Sequence, residues 1–244
     1  AIWQEYEPGS AFKVVIASAV VDKGLMDPSD TEYCEMGEYK IHGRTIHDVH
    51  EYGTLSLNEI IARSSNIGIV KVASRLTRED ISHYTKSFGF GTKTEIDLPY
   101  EKDGNLNAID NKSTLSVFIY VPFGQGISVT PLQMLNAVNT IANGGLLMKP
   151  YVVKKVIDDK EQVLTENSPQ KIRRVISQET ANIITEMLIC AVEYGTGMNA
   201  WMQDYRVAGK TGTSQRPGKY GYSGKYVSSF VGFLPAYNPR ISII

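Results

Sequence analysis

Cysteine is scarce in this 244-residue chain, with Cys34 and Cys190 its only thiols, too few for a disulfide framework. They fit one bridge or two unpaired thiols. Cys190 falls among apolar residues of an expected helix, as a small buried hydrophobe would, and Cys34 falls in a polar loop. An excess of either charge is also missing. With 25 Lys and Arg against 26 Asp and Glu, the net charge is −1, which removes the electrostatic case for nucleic acid or an anionic membrane surface as partner. The longest apolar run, "VVIASAVV" at 14–21, is far too short to span a bilayer. Internal repeats and low-complexity linkers are absent, so one domain over residues 1–244 is expected, with a substantial core.

A phosphate loop is missing as well, although "RVAGKTGTSQ" at 206–215 contains Gly-Lys-Thr. Such a loop needs a glycine five positions before its Gly-Lys pair, where this chain has Asp204, and a helix directly afterwards. The stretch after Thr211, "GTSQRPGKYGYSG", is too rich in glycine and proline for a helix. Lys210 must serve other chemistry.

The elements that are present read as helices first and strands late. "PGSAFKVVIASAVVDKG" predicts a buried helix beginning near Ser10 and closed by Gly24. Ser56 and Glu59 predict a capping box before "IIARSSNIGIVKVASRL", and Thr77 is the expected N-cap of another helix. Thr130, Pro131 and Gln133 start a helix that Gly144 and Gly145 stop. Ser177 opens one more, ended by Gly195, with Ile183, Ile184, Met187, Leu188, Ala191 and Val192 along one stripe. "YVVKKVI" and "QVL" predict a small hairpin. Residues 205–213, 226–234 and 240–244 read as successive antiparallel strands, the first turn long and rich in glycine and proline. The expected class is α+β, helices packed on an antiparallel β-sheet. Because "NPRISII" breaks off in mid-strand, the chain is expected to be a piece of a longer polypeptide.

Three short motifs carry candidate chemistry. Ser10 and Lys13 are three apart at a helix start, on one face. A neutral amine there can take the serine proton. That requires moving a lysine pKa from about 10.4 toward about 7–8, roughly 4 kcal/mol against the ammonium, from burial and a second cation. "SSN" at 64–66 adds Ser64, able to relay a proton, and Asn66, able to hold a substrate amide or orient Lys13. Its plain reading is a polar break between two helices. "KTGT" at 210–213 supplies the second cation, Lys210. Gly212 admits a substrate backbone to the strand, and a backbone N–H near Thr213 can join that of Ser10 as an oxyanion hole.

Ser-x-x-Lys, Ser-x-Asn and Lys-Thr-Gly occur together in penicillin-binding proteins and class A β-lactamases. With "YEPGSAFK", "ARSSNIG", "FGQGISVTPLQ", "RRVISQETA", "EYGTGMNA", "VAGKTGTSQ" and "SSFVGFLPAYNPR", the chain resembles the transpeptidase domain of a class B penicillin-binding protein from about residue 5 onward. The resemblance implies Ser10 as acylated nucleophile, Lys13 as general base, and Ser64 and Asn66 on the opposite wall of a cleft. Lys210, Thr211 and Thr213 would bind the substrate carboxylate, beside Gly212. The implied substrate is a peptidoglycan stem ending in D-Ala-D-Ala, resolved by an amine from a neighbouring stem, with β-lactams as mimics that trap the serine. No cofactor or metal is implied. Also implied are an extracytoplasmic location, an N-terminal membrane anchor, and partners of the parent protein such as a SEDS-type glycosyltransferase and divisome or elongasome proteins. The family fold further implies strands before the first motif and after residue 244, making this a trimmed fragment. Ala11 stands where the family often has threonine.

Other features have plain readings. "HGRTIHDVHE" at 42–51 gathers His42, His47, Asp48, His50 and Glu51, and a solvated loop is expected there rather than a metal site. "KIRRV" at 171–175 reads as surface, and Tyr220, Tyr222 and Tyr226 as a turn bordering the cleft or scattered on the surface. The rival functions are a serine β-lactamase, a D,D-carboxypeptidase, and a β-lactam sensor or scaffold that keeps the pocket without catalysis.

Overall fold

Residues 13–20 are buried on every side rather than along one stripe, so the helix they form, α1 (Lys13–Asp22), belongs to the interior. The computed structural model describes residues 1–110, 113–218 and 221–244, the side chains of 215–218 and 221–223 excepted. The chain enters α1 through a tight 3-10 turn, Gly9–Phe12, and leaves it at Gly24, with φ +63°. The expected α-helical start near Ser10 is therefore a 3-10 turn, a common lead-in at helix N-termini.

The "HGRTIHDVHE" segment is not a plain loop. After β1 (Thr31–Tyr33), strands β2 (Glu38–Ile41) and β3 (Arg44–His47) form a hairpin, and β4 (Thr54–Ser56) pairs back with β1. His42 and Gly43 both have positive φ, as a two-residue hairpin turn demands. Tyr39, Ile41 and Ile46 are the apolar alternation that marks the hairpin, Ile46 being buried. Cys34, expected in a polar loop, is fully buried, and both cysteines are free.

The predicted caps form. Ser56 and Glu59 make the capping box of α2 (Leu57–Arg63), which breaks at Ser64 and Ser65 before α3 (Asn66–Ala73). Thr77 and Asp80 cap α4 (Arg78–Ser87). Two single-turn helices come next, α5 (Asn107–Asp110) and α6 (Leu115–Phe118). Thr130 and Gln133 then cap α7 (Pro131–Ala142). Beyond Gly144 and Gly145, β5 (Leu146–Lys149) precedes the predicted hairpin of β6 (Lys155–Ile157) and β7 (Val163–Glu166), and pairs with β8 (Gln170–Arg174), which carries the exposed basic cluster. Ser177 caps α8 (Gln178–Glu193), with Ile184, Met187, Leu188, Ala191 and Val192 buried.

The last three strands, β9 (Ala208–Gly218), β10 (Gly221–Leu234) and β11 (Ile241–Ile243), form one antiparallel sheet in the order β11-β10-β9. The expected long turn between the first two is mostly ladder, reaching the Gly221–Gly218 pair across a register break between Tyr222 and Tyr226. Pro217 does not stop it, because β9 is an edge strand whose outer N–H groups need no partner strand. Tyr226 is exposed on β10; Tyr220 and the side chain of Tyr222 lie outside the described residues. α8 packs on β9, α7 on β10, and α1 against α2, α3, α4 and α8. This is the expected architecture of helices on an antiparallel sheet.

Asp22 ties the exit of α1 to two other helices. Its Oδ1 accepts from the Ser177 N–H (2.8 Å) and the Thr180 hydroxyl (3.0 Å), and its Oδ2 from the Tyr84 hydroxyl (2.8 Å). Replacing Asp22 with Ala strands three donors, and a loss of about 2–3 kcal/mol of unfolding free energy is expected. Urea denaturation measures it; an unchanged midpoint would contradict this role.

Candidate active site

Three backbone segments meet at the turn that holds Ser10. Gly9 has φ +55°, and a Cβ there would lie 2.5 Å from the Thr213 carbonyl oxygen. Gly124 has φ +76°, and its Cβ would lie 2.2 Å from the Gly9 oxygen; the Gly9 N–H in turn donates to the Gly124 carbonyl. A Cβ on Gly212 would meet the Pro8 oxygen at 2.7 Å. Only glycines let β9 and the 121–124 turn close on the Ser10 turn from two sides. Because that turn is 3-10, with the Lys13 N–H bonded to the Ser10 carbonyl, side chains three apart are eclipsed, which aligns Ser10 with Lys13.

Lys13 is fully buried. Its Nζ lies 2.5 Å from the Ser64 carbonyl oxygen, 2.8 Å from Asn66 Oδ1 and 3.2 Å from Ser64 Oγ. Ser64 reaches this position in the left-handed region, φ 62° and ψ 36°, a strain of about 1–3 kcal/mol for a residue with a side chain. Asn66 is held at both ends of its amide, since Nδ2 donates to the His47 carbonyl at 3.0 Å. The Ser64 carbonyl and Asn66 Oδ1 can only accept. They take the two hydrogens of a neutral amine and leave its lone pair for a hydroxyl; an ammonium finds its third acceptor in Ser64 Oγ. The pocket therefore accommodates both protonation states. Burial pushes the Lys13 pKa well below the ordinary lysine value, Lys210 pushes the same way, and Asp48 opposes both.

Lys210 is also fully buried, and burial lowers its pKa to about 7. Among the described residues its Nζ has only long contacts, 3.3 Å to the Thr211 carbonyl, 3.4 Å to the Thr196 hydroxyl and 3.5 Å to the Thr211 hydroxyl. Thr196 Oγ1 and Thr211 Oγ1 are 2.7 Å apart. Strand alternation buries Lys210, Gly212 and Ser214 and turns Thr211 and Thr213 outward. A cleft of about 660 Å³ opens over this floor. Ser10, Ser64, Asn66, Thr196, Thr211 and Thr213 line it, with Phe123 and Tyr194 on its apolar side and Arg63 and His50 on its rim. A serine, a buried amine of lowered basicity and a threonine-lined strand edge suit acyl transfer to and from an alcohol.

The profile of the penicillin-binding protein transpeptidase domain matches residues 1–244. The chain belongs to this family. It is 36% identical to the stage V sporulation protein D of Bacillus subtilis, over 99% of this chain and 38% of that protein. With the penicillin-binding protein PbpB of Mycobacterium tuberculosis it shares 35% identity over its full length and 37% of that relative. The crystal structure of penicillin-binding protein 3 from Mycobacterium tuberculosis in complex with aztreonam superposes with a TM-score of 0.91 at 33% identity, covering 99% of this chain and 56% of that one. The chain thus spans well under half the length of these curated relatives.

Within this transpeptidase fold, the residues expected from the three motifs converge. Lys13, Ser64 and Asn66 are in hydrogen-bond contact, and Ser10, Thr211 and Thr213 share their cleft. Lys210 is on the buried face of the strand, its Nζ 3.4 Å from the Thr196 hydroxyl and 3.5 Å from that of Thr211, both of which line the cleft. Of the two roles expected of Asn66, its contact with Lys13 fits orientation of the amine. Ala11 is buried, its Cβ 3.4 Å from where a Cβ on Gly212 would be. Sequence reasoning passed over Thr196, Gly9, Gly124 and Asp48. "EYGTG", a glycine-flanked threonine after a helix, was the available sign for Thr196. Asp48 was visible only as one member of a histidine-rich loop.

Two outcomes are expected. Gly124→Ala forces a left-handed alanine against the Gly9 backbone, costing at least about 1–3 kcal/mol of stability in chemical denaturation. Lys210 has its pKa depressed to about 7 in the folded state against about 10.4 unfolded, so the unfolded chain holds the extra proton between these values and stability rises with pH across that window. Lys210→Met is expected to raise unfolding free energy at pH 7 by a few kcal/mol and flatten its rise from pH 7 to 10. An unaltered slope would contradict a buried amine of lowered basicity.

Proposed function

We propose that residues 1–244 act as one catalytic unit, the transpeptidase domain of a serine D,D-transpeptidase that cross-links peptidoglycan stems. The observation that carries this reading is the buried Lys13 amine, shared between Ser64 and Asn66, behind the serine of the cleft. Ser10 attacks the carbonyl between the two terminal D-Ala residues of a stem, and Lys13 takes its proton. Ser64 is placed to relay that proton to the leaving amine. Thr211 and Thr213 hydroxyls receive the terminal carboxylate. Lys210 adds positive potential from behind and weakens the ammonium form of Lys13. Gly212 lets the substrate backbone run along β9. The backbone N–H groups of Ser10 and Thr213 form the oxyanion hole. The last D-Ala leaves, and an amine of a neighbouring stem resolves the acyl-enzyme. β-Lactams offer the same carbonyl and carboxylate and remain on Ser10.

The rival β-lactamase reading needs a carboxylate to activate water for deacylation. Among the described residues no Asp or Glu lines the cleft, which favours the amine-accepting enzyme. By the same resemblance the parent protein is membrane-anchored, faces the outside of the cytoplasmic membrane, and works with a SEDS-type glycosyltransferase and division or elongation proteins.

Mass spectrometry after incubation with benzylpenicillin tests the assignment. One adduct on Ser10 is expected, absent in Ser10→Ala, with no repeated turnover of nitrocefin. An adduct that survives Ser10→Ala would assign the nucleophile elsewhere.

A further inference from the structure

Asn66 can present its oxygen to Lys13 only if the start of α3 stays in place, and one carboxylate holds that start. Asp48, in the connection after β3, receives the backbone N–H groups of Asn66 and of Ile67 (3.2 Å) on Oδ1, and the Ser65 hydroxyl on Oδ2 at 2.5 Å. The neighbouring His47 carbonyl takes the Asn66 amide hydrogen. Two consecutive residues, the last of β3 and the first after it, thus hold both the side chain and the backbone of Asn66. Ser65 is the N-cap of α3, its Oγ also accepting from the Gly68 N–H at 2.8 Å. A carboxylate at this helix end is favoured by the helix dipole as well as by its donors. Capping alone, however, was already available from Ser65. The extra feature of Asp48 is its charge close to Lys13, where it opposes Lys210.

We infer that Asp48 is a positioning residue for the Lys13–Asn66 pair, fixing the amide that orients the amine and supplying the negative charge that stabilises Lys13 once it has taken a proton. The inference rests on the proposed roles of Ser10 as nucleophile and Lys13 as its base. In the acylation step the Ser10 O–H bond breaks and its proton goes to the Lys13 lone pair. The serine oxygen bonds to the substrate carbonyl carbon, and the carbonyl π pair moves onto its oxygen. Collapse of that oxyanion breaks the scissile C–N bond as the leaving nitrogen takes the proton from Lys13. Between the two transfers Lys13 is an ammonium, inside a buried site that already holds Lys210. Asp48 offsets the repulsion. Among the described residues, the other charged or titratable groups around this network are Cys34, Tyr52 and Arg63, with Glu32 and Lys71 beyond Cys34, His47 at the end of β3 and His50 on the connection of Asp48.

A role in positioning and charge differs measurably from a purely structural one. Asp48→Asn keeps an acceptor for the Asn66 and Ile67 N–H groups and removes the charge. Lys13 then becomes a weaker base. The expected result with a fluorescent penicillin is an acylation rate constant reduced about tenfold or more at its pH plateau. The acidic limb of the pH profile moves to lower pH, while the initial binding constant and the fraction of acylatable Ser10 stay unchanged. Asp48→Ala, losing the acceptors too, is expected to fall further; if it fails to fold, Asp48→Asn decides. A reduced acylatable fraction with an unmoved limb would assign Asp48 to folding alone and overturn the inference. If the wild-type chain takes no penicillin, the reading of Ser10 fails separately. Asp48 is then judged by carbon NMR of the Lys13 ε-methylene: a midpoint lowered in Asp48→Asn supports the inference, and an equal midpoint overturns it.

Discussion

A lysine amine surrounded by protein, with another lysine behind the adjacent strand, is a costly object, and much of this structure is arranged around it. Water is the usual solvent of an ammonium, and Lys13 is fully withdrawn from the surface. Three oxygens from the Ser64–Asn66 break replace it, two of which can only accept. Burial and Lys210 press the amine toward neutrality, while Asp48 limits how far it goes. A base has to give up and regain a proton within one cycle, so its surroundings must tolerate both states. This site does so with few groups.

That arrangement constrains the fold on every side. α1 must run through the interior, because a surface helix would hydrate Lys13. The break between α2 and α3 must point a carbonyl inward, which Ser64 achieves by adopting a left-handed conformation that residues with side chains usually avoid. β9 must approach the Ser10 turn closely enough to share a cleft, which Gly9, Gly124 and Gly212 allow by having no Cβ to collide. The loop after α8 joins through Thr196, whose hydroxyl meets that of Thr211. Distant parts of the chain thus meet by backbone proximity, with the reactive side chains projecting from the contact.

The parts legible in the sequence were those with local causes. Capping pairs such as Ser56 with Glu59 and Thr130 with Gln133 announce helix starts because both partners lie within one turn. The three motifs were readable because their spacing fits a helix start, a helix break and a strand. The β2–β3 hairpin was missed, although Tyr39, Ile41 and Ile46 around His42-Gly43 carry its pattern; the many polar residues of 42–51 read as a solvated loop instead. The persistence of the β9–β10 ladder through a glycine- and proline-rich stretch was not readable either, since it depends on β9 being an edge.

Composition and local pattern by themselves determined an α+β chain without a transmembrane-length helix, its capped helices, its late antiparallel strands and the residue types able to perform acyl transfer. Tertiary structure alone decided what surrounds each of them. It buried Lys13 and Lys210, turned Thr211 and Thr213 to the cleft, and recruited Asp48 and Thr196. The reason is physical: a side chain's chemistry is set by its dielectric surroundings and its partners, and here those come from residues tens to hundreds of positions away.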